Sequence, residues 1–189
     1  MTIDAFTACL GFCIFTLVVT RASADCAGLT KRSIDDPVVC HEFGPVCVDN
    51  TAYMVYTRKA SWLDAEQNCS SLGGTLYVMN STKVDKMVRK FIISEYLDDL
   101  IVVTGYWTGL NDIDEEGVYR WPDGSVLESE DYSRWARNQP NNRKNSQDCV
   151  QIWKDAGYKW DDATCTKRKP YVCEYQNLGG PDGCSLYSS

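Results

Sequence analysis

Side-chain oxygens crowd one stretch of this chain. Gln139, Asn141, Asn142, Gln147 and Asp148 fall within ten residues, and Asp161 and Asp162 follow side by side. Amide, carboxylate and carbonyl oxygens are what a hard cation takes, about six to eight at a time for calcium. Asp112 and Glu116 form a further acidic turn upstream. Nitrogen chemistry is harder to assemble, because His41 is the single histidine and leaves His-ligated zinc or Ser-His catalysis without parts. Asp161 and Asp162 do not make a glycosidase pair either: neighbours on one strand do not flank a scissile bond at the ~5 to 9 Å such chemistry uses. The expectation is a binding protein, not an enzyme. With 19 Lys and Arg against 26 Asp and Glu, the net charge is −7, the opposite of a nucleic-acid binder's basic face.

The oxygen-rich stretch needs a scaffold, and the composition supplies one. Of 189 residues, 44% are hydrophobic and 12% aromatic, enough for one packed core. Ten cysteines at this length point to disulfides in an oxidising compartment. The mostly apolar run from Ala5 to Thr20, then Arg21 and Ala22-Ser23-Ala24, predicts a signal peptide over 1–24 and a secreted, extracellular protein without stable membrane insertion. Asp4, and the absence of Lys or Arg before the run, leave an uncleaved anchor as the alternative. Residues 25–46 read as an N-terminal extension tied down by disulfides, 47–176 as the folded domain, and 177–189 as a tail tethered by Cys184. Lys31-Arg32 is read as a solvated basic pair. No collagen-like repeat or heptad run precedes the domain, so any multimer must form through the domain or a free cysteine, and the oligomeric state is not fixed by the sequence.

Two helices are predicted to pack on a sheet. Trp62, Ala65, Cys69 and Leu72 fall at helical spacing, Ser61 with Asp64 resembles a capping box, and Gly73-Gly74 stops the helix. Val84, Met87, Val88, Phe91 and Ile92 repeat the stripe within a segment from Thr82 to Asp98. Strands are predicted at Tyr106 to Leu110, Val118 to Trp121, Cys149 to Trp153 and Tyr171 to Tyr175, with Pro122-Asp123-Gly124 as a turn. Helices first and strands after predict an α+β domain.

Trp62-x-x-Ala65-x-x-x-Cys69, Gly74-x-Leu76, Trp107-Thr108-Gly109-Leu110, Trp121-Pro122-Asp123-Gly124, Gln139-Pro140-Asn141, Cys149, Trp160-Asp161-Asp162-x-x-Cys165 and Val172-Cys173-Glu174 occur in that order. From Tyr53 to Tyr175 the chain thereby resembles a C-type lectin-like domain. The resemblance implies two helices flanking antiparallel sheets, with a long disulfide-locked loop region. It also implies that Cys69 pairs with Cys173 and Cys149 with Cys165. A family position just before Tyr53, often cysteine, is Ala52 here, so Cys26, Cys40, Cys47 and Cys184 keep three connectivities, and an intermolecular bridge stays open.

The resemblance further implies calcium (Ca2+) as cofactor. Its sugar-binding ion maps onto Gln139, Asn141, Gln147, Asp161 and Asp162, with Pro140 as the family's cis proline. A structural calcium maps onto Asp112, Glu116, Asn142 and Asp148. Departures weaken the first site. Gln147 stands where an acid is usual, Asp161 where an Asn is usual, and Gln139 lacks the charge of the mannose-type Glu, so only Asp161 and Asp162 bring full charge, and affinity is expected near 10⁻³ M, roughly the weak end for extracellular sites, or absent. Gln-Pro-Asn matches neither the mannose-type Glu-Pro-Asn nor the galactose-type Gln-Pro-Asp, which blurs the sugar preference. Tyr158, in an exposed turn, is a candidate to stack on a sugar face. Arg143 and Lys144 share the loop and allow an anionic ligand or simple solvation. Asn68 and Asn80 head glycosylation sequons, Asn80 the better placed because Cys69 encumbers the first. The reading is a secreted calcium-dependent lectin whose partners are glycans. The alternative is a protein-binding or structural module of the same fold with a vestigial calcium site.

Overall fold

The computed structural model describes residues 46–48, 51–94 and 104–176. The signal peptide, nearly all of the extension, the tail and the last four residues of the predicted second helix lie outside them, as does the pairing of the four remaining cysteines. Strand β1 (Val46–Val48) leads into β2 (Thr51–Ala60), helix α1 (Trp62–Ser71), β3 (Thr75–Leu76) and helix α2 (Thr82–Ser94). Strands β4 (Gly105–Asn111), β5 (Cys149–Trp153), β6 (Lys159–Ala163) and β7 (Lys169–Gln176) follow. The seven strands form one sheet in the order β1-β2-β7-β4-β5-β6, with β3 beside β7. All pairings are antiparallel except β4 with β7, which meet in parallel at Trp107 and Tyr171, so the sheet is mixed where antiparallel sheets were expected.

Helix α1 starts as its sequence predicts: the Ser61 hydroxyl accepts the Asp64 amide at 3.2 Å. Trp62, Ala65 and Cys69 are its buried face, and Trp62 Nε1 donates to the Thr108 carbonyl at 2.8 Å. Helix α2 buries Val84, Val88 and Ile92, but Met87 is exposed and Asp85 is fully buried in its place. Asp85 Oδ2 accepts from Arg89 Nε at 2.9 Å and from the Tyr132 hydroxyl at 2.7 Å, which offsets part of the cost of a carboxylate in an apolar stripe, while its Oδ1 is buried without a donor. Strand β2 escaped the sequence reading because Arg58 and Lys59 interrupt its pattern.

The expected strand Val118 to Trp121 reduces to a single bridge residue, Arg120, flanked by Asn111 and Val126. Its aromatic side chains are buried all the same, because Tyr119 and Trp121 join Tyr106, Leu110, Val150, Ile152 and Trp160 in the core. Aromatic content, not ladder pairing, produced that signal. Both expected disulfides are present, Cys69–Cys173 and Cys149–Cys165. The sheet also requires glycine at 109, where a Cβ would stand 2.4 Å from Pro122 Cγ and 2.9 Å from the Leu76 carbonyl.

Candidate saccharide and cation site

Between β4 and β5 the chain runs from Asp112 to Asp148 without a strand, and its shape comes from hydrogen bonds to the sheet. The Asp112 amide donates to the Asp148 carbonyl at 3.0 Å and closes the loop at its base. Further out, the Ala136 amide donates to the Trp160 carbonyl at 2.8 Å and the Trp160 amide to the Arg134 carbonyl at 2.9 Å. Trp160 is completely buried and makes edge contacts with Trp121, Tyr132 and Trp135, so it pins loop to sheet.

Asp162 organises the next layer. Its Oδ1 and Oδ2 accept the Asn141 amide at 3.0 and 3.1 Å, and Oδ2 also accepts the Asn142 amide. Gln147 closes the loop from the other side: its Nε2 donates to the Asp162 carbonyl at 2.7 Å and its Oε1 accepts the Arg143 amide at 2.7 Å. The Asn142 side chain accepts the Gln147 amide at 3.1 Å and donates to Glu116. The Gln139-Pro140 bond is cis, as the resemblance implied. Gln139 Oε1 is buried and no donor reaches it.

Asp161 is set apart from this group. Consecutive strand residues face opposite sides, and β6 pairs Asp161 with Gln151 and Asp162 with Val150. Gln151 Nε2 accordingly donates to Asp161 Oδ2 at 2.6 Å. Burial raises the Asp161 pKa, opposed by that hydrogen bond and reinforced by the Asp162 charge. Two carboxylates leaving opposite faces of a strand do not form an acid and base pair about one bond. Tyr158 is half-buried against the core, where an exposed turn residue was expected, and its carbonyl accepts from Arg134 Nη1 at 2.7 Å.

The second set gathers around Asp112, which is buried. Its Oδ2 accepts the Gly117 amide at 2.8 Å, and its Oδ1 is buried without a donor. Desolvation raises the Asp112 pKa, partly offset by the Gly117 amide, and the Asp148 charge raises it further. Glu116 is raised as well, by desolvation and then by the Asp112 and Asp148 charges. Tyr119, whose phenol is raised well above its ordinary range by burial and then by Asp112, was missed as a neighbour of this set. Sequence spacing gave no sign of it, since the contact arises only when the loop folds back.

Oxygen donors alone line both sets, which suits a hard cation, and Gln139 Oε1 and Asp112 Oδ1 are desolvated lone pairs without partners. Among the described residues, however, no group of three or more His, Cys, Asp or Glu side chains converges on one point. Asn80 is exposed, whereas Asn68 is tied into the fold by donating to the Tyr171 hydroxyl at 3.2 Å. No described helix is long and apolar enough to cross a membrane.

Known proteins resemble this chain in sequence and in fold. A perlucin-like protein of Mytilus galloprovincialis is 37% identical over 166 residues, covering 85% of this chain and 93% of the relative. The C-type lectin BML-2 of Bungarus multicinctus is 33% identical over 166 residues, covering 87% and 94%. Among solved structures, the cow C-type carbohydrate-recognition domain of CD23, determined in the presence of a GlcNAc2Man3 oligosaccharide, superposes with a TM-score of 0.56 at 27% identity, covering 72% of this chain and 95% of that one. The model of the lectin C-type domain matches residues 58–175, and the chain belongs to that family.

Proposed function

We propose that this protein is a secreted module that binds saccharides through the Gln139–Asp148 loop with the help of calcium. The observation that carries the proposal is Gln139 Oε1, a buried amide oxygen without a donor beside a loop whose next two amides are fixed by Asp162. An orphaned acceptor is costly unless a cation or water meets it. When bound, calcium supplies a centre on which two sugar hydroxyls replace water. The protein's part is to hold Gln139 and Asn141 where their amides donate to or accept from the same hydroxyls, with Gln147 joining by exchanging its bond to the Asp162 carbonyl or the Arg143 amide. Asp162 keeps that loop in shape and brings the charge; Asp161 would add charge only by exchanging its Gln151 bond. Asp112, Glu116, Asn142 and Asp148 are the proposed holders of a structural calcium, and Asn80 is the proposed glycosylation site.

The test is retention on immobilised mannose or galactose. Release by chelator is expected, and retention unchanged by chelator contradicts the mechanism. Acid should also release the ion, because protonation removes carboxylate charge; calcium affinity constant down to pH 4 would contradict the assignment.

A second reading has its own support. Asp162, Gln147 and Asn142 already satisfy one another, so the loop is closed without an ion. On that reading the domain binds a protein partner or is structural, and the calcium site is vestigial. Calorimetry with millimolar calcium separates the two: no heat favours this reading.

A further inference from the structure

The chain is acidic as a whole, yet the loop that carries the proposed sugar site is not. From Tyr132 to Gln147 there is no Asp or Glu, while Arg134, Arg137, Arg143 and Lys144 are all present. Arg134 is committed, its guanidinium donating to the Tyr158 and Gly157 carbonyls at 2.7 and 3.3 Å. Arg137, Arg143 and Lys144 are exposed, and their side chains make no hydrogen bond or ion pair among the described residues. Two carboxylates bonded to this loop are occupied, Asp162 by the Asn141 and Asn142 amides and Glu116 by the Asn142 side chain, and the loop's own single acid, Asp148, makes no ion pair with these cations.

The backbone under these cations is fixed. The Arg143 amide is held by Gln147 Oε1 at 2.7 Å, the Asn145 amide donates to the Asn142 carbonyl at 2.8 Å, and Asn142, Lys144 and Asn145 take left-handed φ of 36°, 66° and 51°. Arg143 and Lys144 follow Asn141 by two and three residues, so at most about 11 Å of chain separates them from it. A guanidinium and an ammonium on a rigid turn form a fork and a point charge suited to a carboxylate or sulfate. Gln139 and Gln147, being uncharged, add no repulsion.

We propose that this site takes saccharides bearing an acidic group, sulfate or carboxylate, and that Arg143 and Lys144 contact that group while Arg137 adds to the field. The proposal rests on the loop being a saccharide site, and it names the substrate class. The outer face of α2 is the competing surface, since it exposes Lys86 and Lys90.

The test measures affinity of the full chain, with calcium and again with chelator, for matched pairs: a sulfated oligosaccharide with its desulfated parent, and sialyllactose with lactose. At least one acidic member is expected to bind about tenfold tighter than its neutral parent, with the difference shrinking as salt rises, because exposed charges are screened over roughly 8 Å at physiological ionic strength. Which pair shows the preference tells sulfate from carboxylate. The Arg143→Gln/Lys144→Gln variant should bring the pair within about twofold at unchanged melting temperature, whereas Lys86→Gln/Lys90→Gln should preserve the preference. Neutral saccharide bound and released by chelator, without preference for the acidic form, overturns this proposal and leaves the lectin reading standing. Loss of the preference in the α2 variant instead also overturns it. Absence of any saccharide binding removes both.

Discussion

Asp162 has no exposed surface, and its two oxygens serve the amides of Asn141 and Asn142. Replacing it by alanine strands two backbone donors, and Asp162→Ala is expected to cost about 1 to 3 kcal/mol, read by denaturant unfolding without calcium. A loss under about 0.5 kcal/mol would show that water replaces the carboxylate. On the opposite face, Lys169 is buried with its Nζ donating to Thr104 Oγ1 at 2.9 Å and standing 5.3 Å from the centre of the Trp107 ring. Burial, joined by the Lys167 and Lys59 charges against the pull of Asp161, pushes its pKa down to about 8 from 10.5. Below pH 8 both folded and unfolded chains carry the proton, and the cost of the buried charge is full. Between about 8 and 10.5 the folded protein releases its proton first, so stability rises with pH. Tyr175 and Tyr77 are raised by burial and act in the other direction once pH passes the ordinary phenol value of 10.0. Unfolding free energy should therefore climb from pH 7.5 to 9.5 in the native protein, and Lys169→Met should flatten the climb.

At the scale of elements, the two disulfides differ in what they restrain. Cys69–Cys173 closes a separation of 104 residues and ties α1 to β7, whereas Cys149–Cys165 closes 16 and ties the start of β5 to the chain beyond β6. The chain-entropy model gives about 4.7 kcal/mol for the long span and about 3 for the short one. The Cys149→Ala/Cys165→Ala variant is expected to remain folded, lose about 3 kcal/mol, and speed amide exchange at Asn141, Asn142 and Gln147 more than in α1. Equal acceleration in α1 would mean that loop and scaffold unfold together. The elements also show where periodicity informs. Trp62, Ala65 and Cys69 face the sheet because nothing polar competes for that side of α1. In α2 the stripe held at Val84, Val88 and Ile92 but failed at Met87, since Asp85 found Arg89 and Tyr132 as partners and took the buried position. Arg89 four residues after Asp85 was a signal available in the sequence; Tyr132, forty-seven residues away, was not.

For the whole molecule, calcium linkage is the measurable consequence of the proposed site. A site with a dissociation constant near 10⁻³ M gains about 1.4 kcal/mol in 10 mM calcium, a rise of roughly 3 to 6 °C in melting temperature for a domain of this size. The shift should vanish with chelator; a flat curve would leave a folded scaffold without its ion. From the sequence alone, apolar spacing and glycine stops determined the two helices of an α+β domain and composition located the loop where oxygens gather, while the lectin fold and both core disulfides were implied by the family resemblance of its ordered motifs. The tertiary structure alone decided that Asp161 and Asp162, adjacent in sequence, belong to different faces, and that Asp162 is spent on backbone amides. It also decided that Tyr119 lies beside Asp112 and that Tyr158 is half-buried. The physical reason is that strand register and long-range hydrogen bonding choose which side of the sheet a polar group meets. Neither is encoded in the spacing of neighbouring residues.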